Sequence, residues 1–184
     1  MQIHRFYTLR PKEVQAIYSS LGGKYGYRER LARNGNGSPR LYYLDGHPEI
    51  DRLRDRATDE LRLNFEEFRN GLLVGITERT EPYILPLRPA DIHNISIHLT
   101  RDVVEPVPGS FFDWLLRHGV ALSIARFFAR PGEHEAGRTE LRLTTGGFSI
   151  HCWADAREHK HLLDFFGKSV VEGLVVKTAV QVAE

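Results

Sequence analysis

Residues 22–40, GGKYGYRERLARNGNGSPR, set Lys24, Arg28, Arg30, Arg33 and Arg40 among Tyr25 and Tyr27. A guanidinium can grip a phosphate through two parallel hydrogen bonds, and a tyrosine ring can stack on a base. The set is therefore a candidate anion-binding loop, for a lipid headgroup or a nucleic acid. The Gly-Gly-Lys is not a phosphate loop of the Walker type, because the GxxxxGK[ST] spacing is missing. The competing reading is a solvated basic loop whose tyrosines pack locally, since charged faces usually meet only water.

Other chemistry finds less support. Nine histidines invite a metal, but His159 and His161 are two apart and would leave a helix on different sides. His93 and His98, five apart, would face opposite ways on a regular strand, as would the neighbours His151 and Cys152. No pair has the HxxxH spacing of a helical metal site. Cys152 shares a strand face with Phe148 and Ile150, the setting of a buried, inert thiol. There is no GxSxG elbow, and no carboxylate pair stands out from the surface charge. The sequence yields no catalytic residue, metal ligand or cofactor site, although an enzyme whose residues converge only in space stays open.

A third candidate is SFFDWLLRHG, residues 110–119, which crowds Phe111, Phe112, Trp114, Leu115 and Leu116 together. Apolar residues on nearly every side of a helix imply more than one buried contact. Phe111, Phe112 and Trp114 could form an interface with a protein or touch a membrane. The more ordinary expectation is that this segment covers a sheet and is itself covered by the N-terminal region.

Composition sets the frame. The 184 residues are 41% hydrophobic and 27% charged, with a formal net charge of +1, so a packed core is expected and global attraction to polyanions is not. The charge is uneven: residues 1–57 carry eleven Lys/Arg against six Asp/Glu, and residues 58–184 carry fourteen against eighteen. That asymmetry hints at an anionic partner for the N-terminal part or at pairing within the chain. A single cysteine, no apolar leader and no run of about 18 apolar residues point to a cytoplasmic protein with no transmembrane segment.

The elements that would position these residues follow from periodicity. Pro11 suits the first turn of a helix, Val14, Ile17, Tyr18 and Leu21 share one face, and Gly22-Gly23 stops it. RLYYL reads as a short strand, and PEIDRLRDRATDEL as a charged helix. From Asp59 the period drops to two, with Leu61, Leu63 and Phe65 on one face. Asn70-Gly71 reads as the turn of a hairpin. ERTEP and RPAD mark further turns, so strands over 72–77, 83–87 and 92–97 continue an antiparallel meander. A fifth strand is expected over 120–128, a sixth around Leu141 and Leu143, and a seventh through Phe148, Ile150 and Cys152. Asp155 then opens a helix with His159, Leu162, Leu163 and Phe166 as its apolar stripe. The end, GLVVKTAVQVAE, reads as either strand or frayed terminus.

Two meanders followed by one amphipathic helix resemble the pleckstrin-homology-like (PH-like) fold, including bacterial PH-like and GRAM-type domains. The residues that carry this are FRNGLLVGITERTEPYILPLRPADIHNISI and LRLTTGGFSIHCWADAREHKHLLDFFGKSV. The resemblance implies an α+β, mainly β protein: a bent antiparallel barrel of about seven strands over 59–184, plugged by its C-terminal helix. Residues 1–58 would form an N-terminal helical extension, which has no counterpart in that family. It also implies a non-enzymatic interaction module for a protein partner or self-association, with anionic lipid or nucleic acid as the alternative. Lipid-binding members of that family usually carry cations in the first hairpin, where this chain has only Arg69.

Overall fold

The computed structural model describes residues 2–33, 35–57 and 60–177. Strands alternate with six short helices in the order β1 (His4–Arg5), α1 (Pro11–Ser20), α2 (Tyr27–Ala32), β2 (Leu41–Asp45), α3 (Pro48–Arg56), β3 (Arg62–Phe68), β4 (Gly71–Glu78), β5 (Glu81–Leu87), β6 (Ile92–Leu99), β7 (Val103–Val104), α4 (Phe111–Arg117), α5 (Leu122–Ala125), β8 (His134–Glu135), β9 (Arg138–Thr145), β10 (Ser149–Asp155), α6 (His159–Phe166) and β11 (Val175–Lys177). Nine strands form one sheet in the order β1-β5-β4-β3-β2-β10-β9-β6-β11, and β7 and β8 form a separate pair. Every pairing in the large sheet is antiparallel except that of β11 with β6. The fold is α+β and mainly β, but the sheet ends at β1 and β11 and is not closed into a barrel.

The period-two pattern builds the core. Leu63 and Phe65 of β3, Val74 and Ile76 of β4, Ile95 and Ile97 of β6, and Leu141 and Leu143 of β9 all point inward and are buried. Leu162 and Phe166 of α6 join that cluster, with Phe166 edge-on to Phe65 at 5.3 Å. Along β6, the inward set skips from Ile92 to Ile95 because a bulge between Ile92 and Asn94 shifts the register there. On the opposite face, α1 and residues 6–9 cover one end of the sheet. Leu21, Phe68, Leu73 and Ile84 are buried there against Phe6, Leu9, Ile17 and Tyr18.

Several expectations need correction. The hairpin between β3 and β4 exists, but Phe68 pairs with Gly71, so the turn is Arg69-Asn70 rather than Asn70-Gly71. Neither turn residue has a positive φ. Gly71 serves close approach instead: a Cβ there would sit 2.6 Å from the Leu87 carbonyl oxygen. The meander stops at three strands. A 3-10 turn over Pro89–Asp91, clasped by Arg88 and Asp91, redirects the chain so that β6 pairs with β9 and not β5. Residues 120–128 are not a strand but α5 followed by a 3-10 turn, Arg126–Phe128. The segment expected as an N-terminal extension supplies β2, an interior strand between β3 and β10. The last strand reading holds over Val175–Lys177, and residues 178–184 lie outside the described residues, as do Thr58 and Asp59 at the expected boundary.

Candidate interaction surface

Between β6 and β9 the chain makes an excursion, residues 100–137, with an apolar centre of its own. Its ends are tied together: the Thr100 amide donates to the Arg138 carbonyl at 2.8 Å, and the Gly137 amide to the Asp102 carboxylate at 2.7 Å. That amide, with His134 at 3.2 Å, holds the Asp102 carboxyl below the usual carboxylate range. Glu133 is fully buried, yet its carboxylate accepts from the amides of Val107 at 2.9 Å and Arg130 at 2.7 Å. Donation from Ser110 and those amides likewise pulls its pKa down. A buried charge satisfied in this way pins the loop on either side of α4.

Ser110 caps α4, its hydroxyl accepting from the Asp113 amide at 3.0 Å. Helical spacing then splits the aromatic crowd. Phe112 and Leu115 turn inward and are buried with Ala125, backed by Leu116, Val120, Leu122 and Ala129. Phe111 and Trp114, three apart, turn outward. Their rings stack at 5.6 Å with an interplanar angle of 10°, and Phe128 meets Phe111 edge-on at 5.3 Å. The three side chains are 53%, 50% and 52% exposed. Ile124 and Phe127 of the same excursion are also exposed, and the Arg126 guanidinium lies 5.3 Å from the Phe127 ring centroid.

This geometry divides the expected interface residues. Phe112 is core and has no accessible surface for a partner. Phe111 and Trp114 face solvent, so the expectation that the segment covers the sheet beneath the N-terminal region is wrong: its apolar cluster is separate from the sheet's. The strand expected over 120–128 conceals Phe128, which the 3-10 turn instead sets beside Phe111. The adjacent pair Phe127-Phe128, just before Pro131-Gly132, is the signal that could have marked it.

The basic set of residues 24–40 is scattered. Lys24 pairs with Glu66 at 3.2 Å and lies over the Tyr18 ring. Arg33 donates to both oxygens of Glu67, at 3.1 and 2.9 Å, and stacks on Tyr25. Tyr25 is itself buried, and burial, then Glu67, raises its pKa. Tyr27, Arg28 and Arg30 sit on the exposed α2, while Arg40 opens onto the outer sheet face beside Arg62. A cleft of about 600 Å³ between Gly35, Gly37 and Pro39 on one side and α6 on the other brings Arg33, Lys160, His161 and Lys168 together with Glu67, Glu158 and Asp164. Its opposite charges are balanced, so it presents no anion trap.

Cys152 is fully buried, and desolvation drives its thiol well above the ordinary range. Among the described residues, no three His, Cys, Asp or Glu side chains cluster as metal ligands would. No described helix is long and apolar enough to cross a membrane. Comparison of the chain with family models, with curated proteins and with solved structures found no match.

Proposed function

We propose that this protein is an interaction module that docks on a protein partner through the ring face of Phe111, Trp114 and Phe128. The observation that carries the reading is the pairing of half-exposed, mutually stacked rings with a satisfied polar frame underneath. Rings held rigid before contact lose little freedom on binding, and such aromatics dominate interface energetics. Arg126 beside Phe127 favours a partner whose apolar recess is edged by carboxylates. A PH-like origin for the scaffold is part of the same proposal. In its favour, α6 follows the last antiparallel strand and buries Leu162 and Phe166 against both halves of the sheet. The parallel addition of β11 departs from that pattern.

The test places a photo-crosslinking amino acid at Trp114 in cells that express the full chain. A discrete protein adduct, lost when Phe111 and Phe128 are both changed to Ser, supports the proposal. An adduct of twice the chain's mass would identify the partner as a second copy. Absence of any protein adduct, or binding to anionic vesicles that depends on the same rings, would overturn it.

A further inference from the structure

A second surface lies on the outer face of the large sheet, beyond the part covered by α1. Its centre is a pair of rings on neighbouring strands: Tyr42 of β2 and Trp153 of β10 are register partners and stack at 4.8 Å with an interplanar angle of 27°. Both are only partly buried, while their inward neighbours Tyr43, Cys152 and Ala154 are buried. Arg62 is the register partner of Tyr42 on β3, so the two share this face. Arg40 lines one cleft with Arg62, Asn64 and Thr77. On the other flank, Arg142 of β9 is the register partner of His151 and lines a cleft with His98 and Ser96.

The charges are unequal here. Arg40, Arg62 and Arg142 are exposed, and none has an ion-pair partner among the described residues. Two carboxylates border them: Glu140, already engaged by Arg138 at 2.8 Å and 3.4 Å from His151, and Asp45, 3.5 Å from the other nitrogen of His151. Arg62 and Arg142 sit three strands apart in β3-β2-β10-β9 and out of row, since the row through Arg62, Tyr42 and Trp153 ends at Glu140 and Arg142 lies two residues further along β9; their separation is roughly 16 Å at the ordinary strand spacings. The stacked rings lie between them.

We propose that this face binds single-stranded nucleic acid, with bases stacking at Tyr42 and Trp153 and the backbone phosphates held by Arg40, Arg62 and Arg142. Guanidiniums free of carboxylate partners supply the phosphate contacts. A ring pair on an open sheet offers what an unstacked base needs, and a duplex hides its base faces from such a platform. This surface is separate from the ring face of the excursion and stands without it.

The experiment is fluorescence anisotropy of the full chain with labelled dT15, rU15 and a duplex of equal length, repeated across a salt series. Binding to one or both single strands in preference to the duplex is expected, and the dT15 and rU15 arms show which sugar is favoured. Arg62→Gln and Arg142→Gln should each weaken binding and lower the salt slope by about 0.7. Tyr42→Leu should weaken binding at least about fivefold. Should that variant not fold, quenching of Trp153 fluorescence by the strand in a Trp114→Phe background reads stacking directly. Arg28→Gln on α2 should change nothing. No binding at 50 mM salt, a preference for duplex, or binding indifferent to Tyr42 and without Trp153 quenching would each overturn the proposal.

Discussion

The carboxylate of Glu67 accepts a hydrogen bond from the Val170 amide at 3.0 Å, joining β3 to the segment that follows α6 across 103 residues of sequence. The same carboxylate takes both contacts from Arg33, and the Tyr25 hydroxyl stands 3.4 Å away. Glu67 is 4% exposed, so its oxygens are satisfied by these donors rather than by water. Glu67→Ala should cost about 2–3 kcal/mol in urea unfolding, because the Val170 amide then loses its acceptor. Arg33→Ala should cost less, about 1–2 kcal/mol, since its side chain is 40% exposed and water takes over part of its role. Equal and negligible effects would mean that this node does not hold the C-terminal segment in place.

Gly71 tests the close packing of the first hairpin. An added Cβ would meet the Leu87 carbonyl oxygen at 2.6 Å and Leu21 Cδ2 at 2.7 Å. The carbonyl cannot swing aside without disturbing the β4–β5 ladder, so Gly71→Ala should cost about 2–3 kcal/mol. Gly147→Ala, where a Cβ meets nothing within 4 Å, should stay within about 0.5 kcal/mol of the parent. Thermal unfolding of the two variants side by side gives the comparison.

Phe166 joins the helix to the sheet. It is fully buried and meets Phe65 edge-on and Phe165 at 4.9 Å. Phe166→Ala should destabilise by about 3–5 kcal/mol, and Phe165→Ala, only partly buried, by clearly less. A mild loss at Phe166 in chemical denaturation would argue that α6 is an appendage rather than part of the core.

Acid should weaken the fold through two histidines. Burial lowers the pKa of His47, although Glu49 and Asp51 act in the opposite sense, and burial lowers that of His159. His47 Nδ1 accepts from the Glu49 amide at 3.2 Å, and His159 Nδ1 is buried without a hydrogen-bond partner. With folded values below the unfolded value of about 6.5, the folded chain binds fewer protons. Their contribution is complete above that pH and declines as the pH falls beneath it. The urea midpoint should therefore drop between pH 7 and pH 5. The double variant His47→Asn, His159→Gln should flatten that drop, because the asparagine side chain can still cap α3 without taking up a proton. An unaltered slope would assign the acid sensitivity to other groups.

Local pattern revealed the strands that alternate. Leu61, Leu63 and Phe65 declared β3, and Leu141 and Leu143 declared β9, because one buried face writes itself into every second residue. The stripe of α6 was legible for the same reason. What stayed hidden was partnership. Nothing near Tyr42 announces that β2 will pair with β10, more than a hundred positions later, or that β6 will abandon β5 at Pro89. The misread strand at 120–128 has a physical cause. Ile124, Phe127 and Phe128 are apolar but 58%, 76% and 52% exposed, so an apolar run that usually reports burial here reports surface. Of the candidate sites, Phe111 and Trp114 were visible from composition. The outer-face group was not, because Arg62, Tyr42, Trp153 and Arg142 come from four strands that only the sheet order brings side by side.

The way residues 100–137 leave and rejoin the sheet carries a practical consequence. Leu99 and Thr139 are already register partners, and the amide of Thr100 reaches the carbonyl of Arg138. The insert therefore closes like a drawer: it can be pulled out and replaced by a tight turn between β6 and β9 while the cabinet keeps its shape. A chain built this way lends itself to exchange of the insert as a cassette, and laboratory chimaeras can graft other inserts onto the same frame.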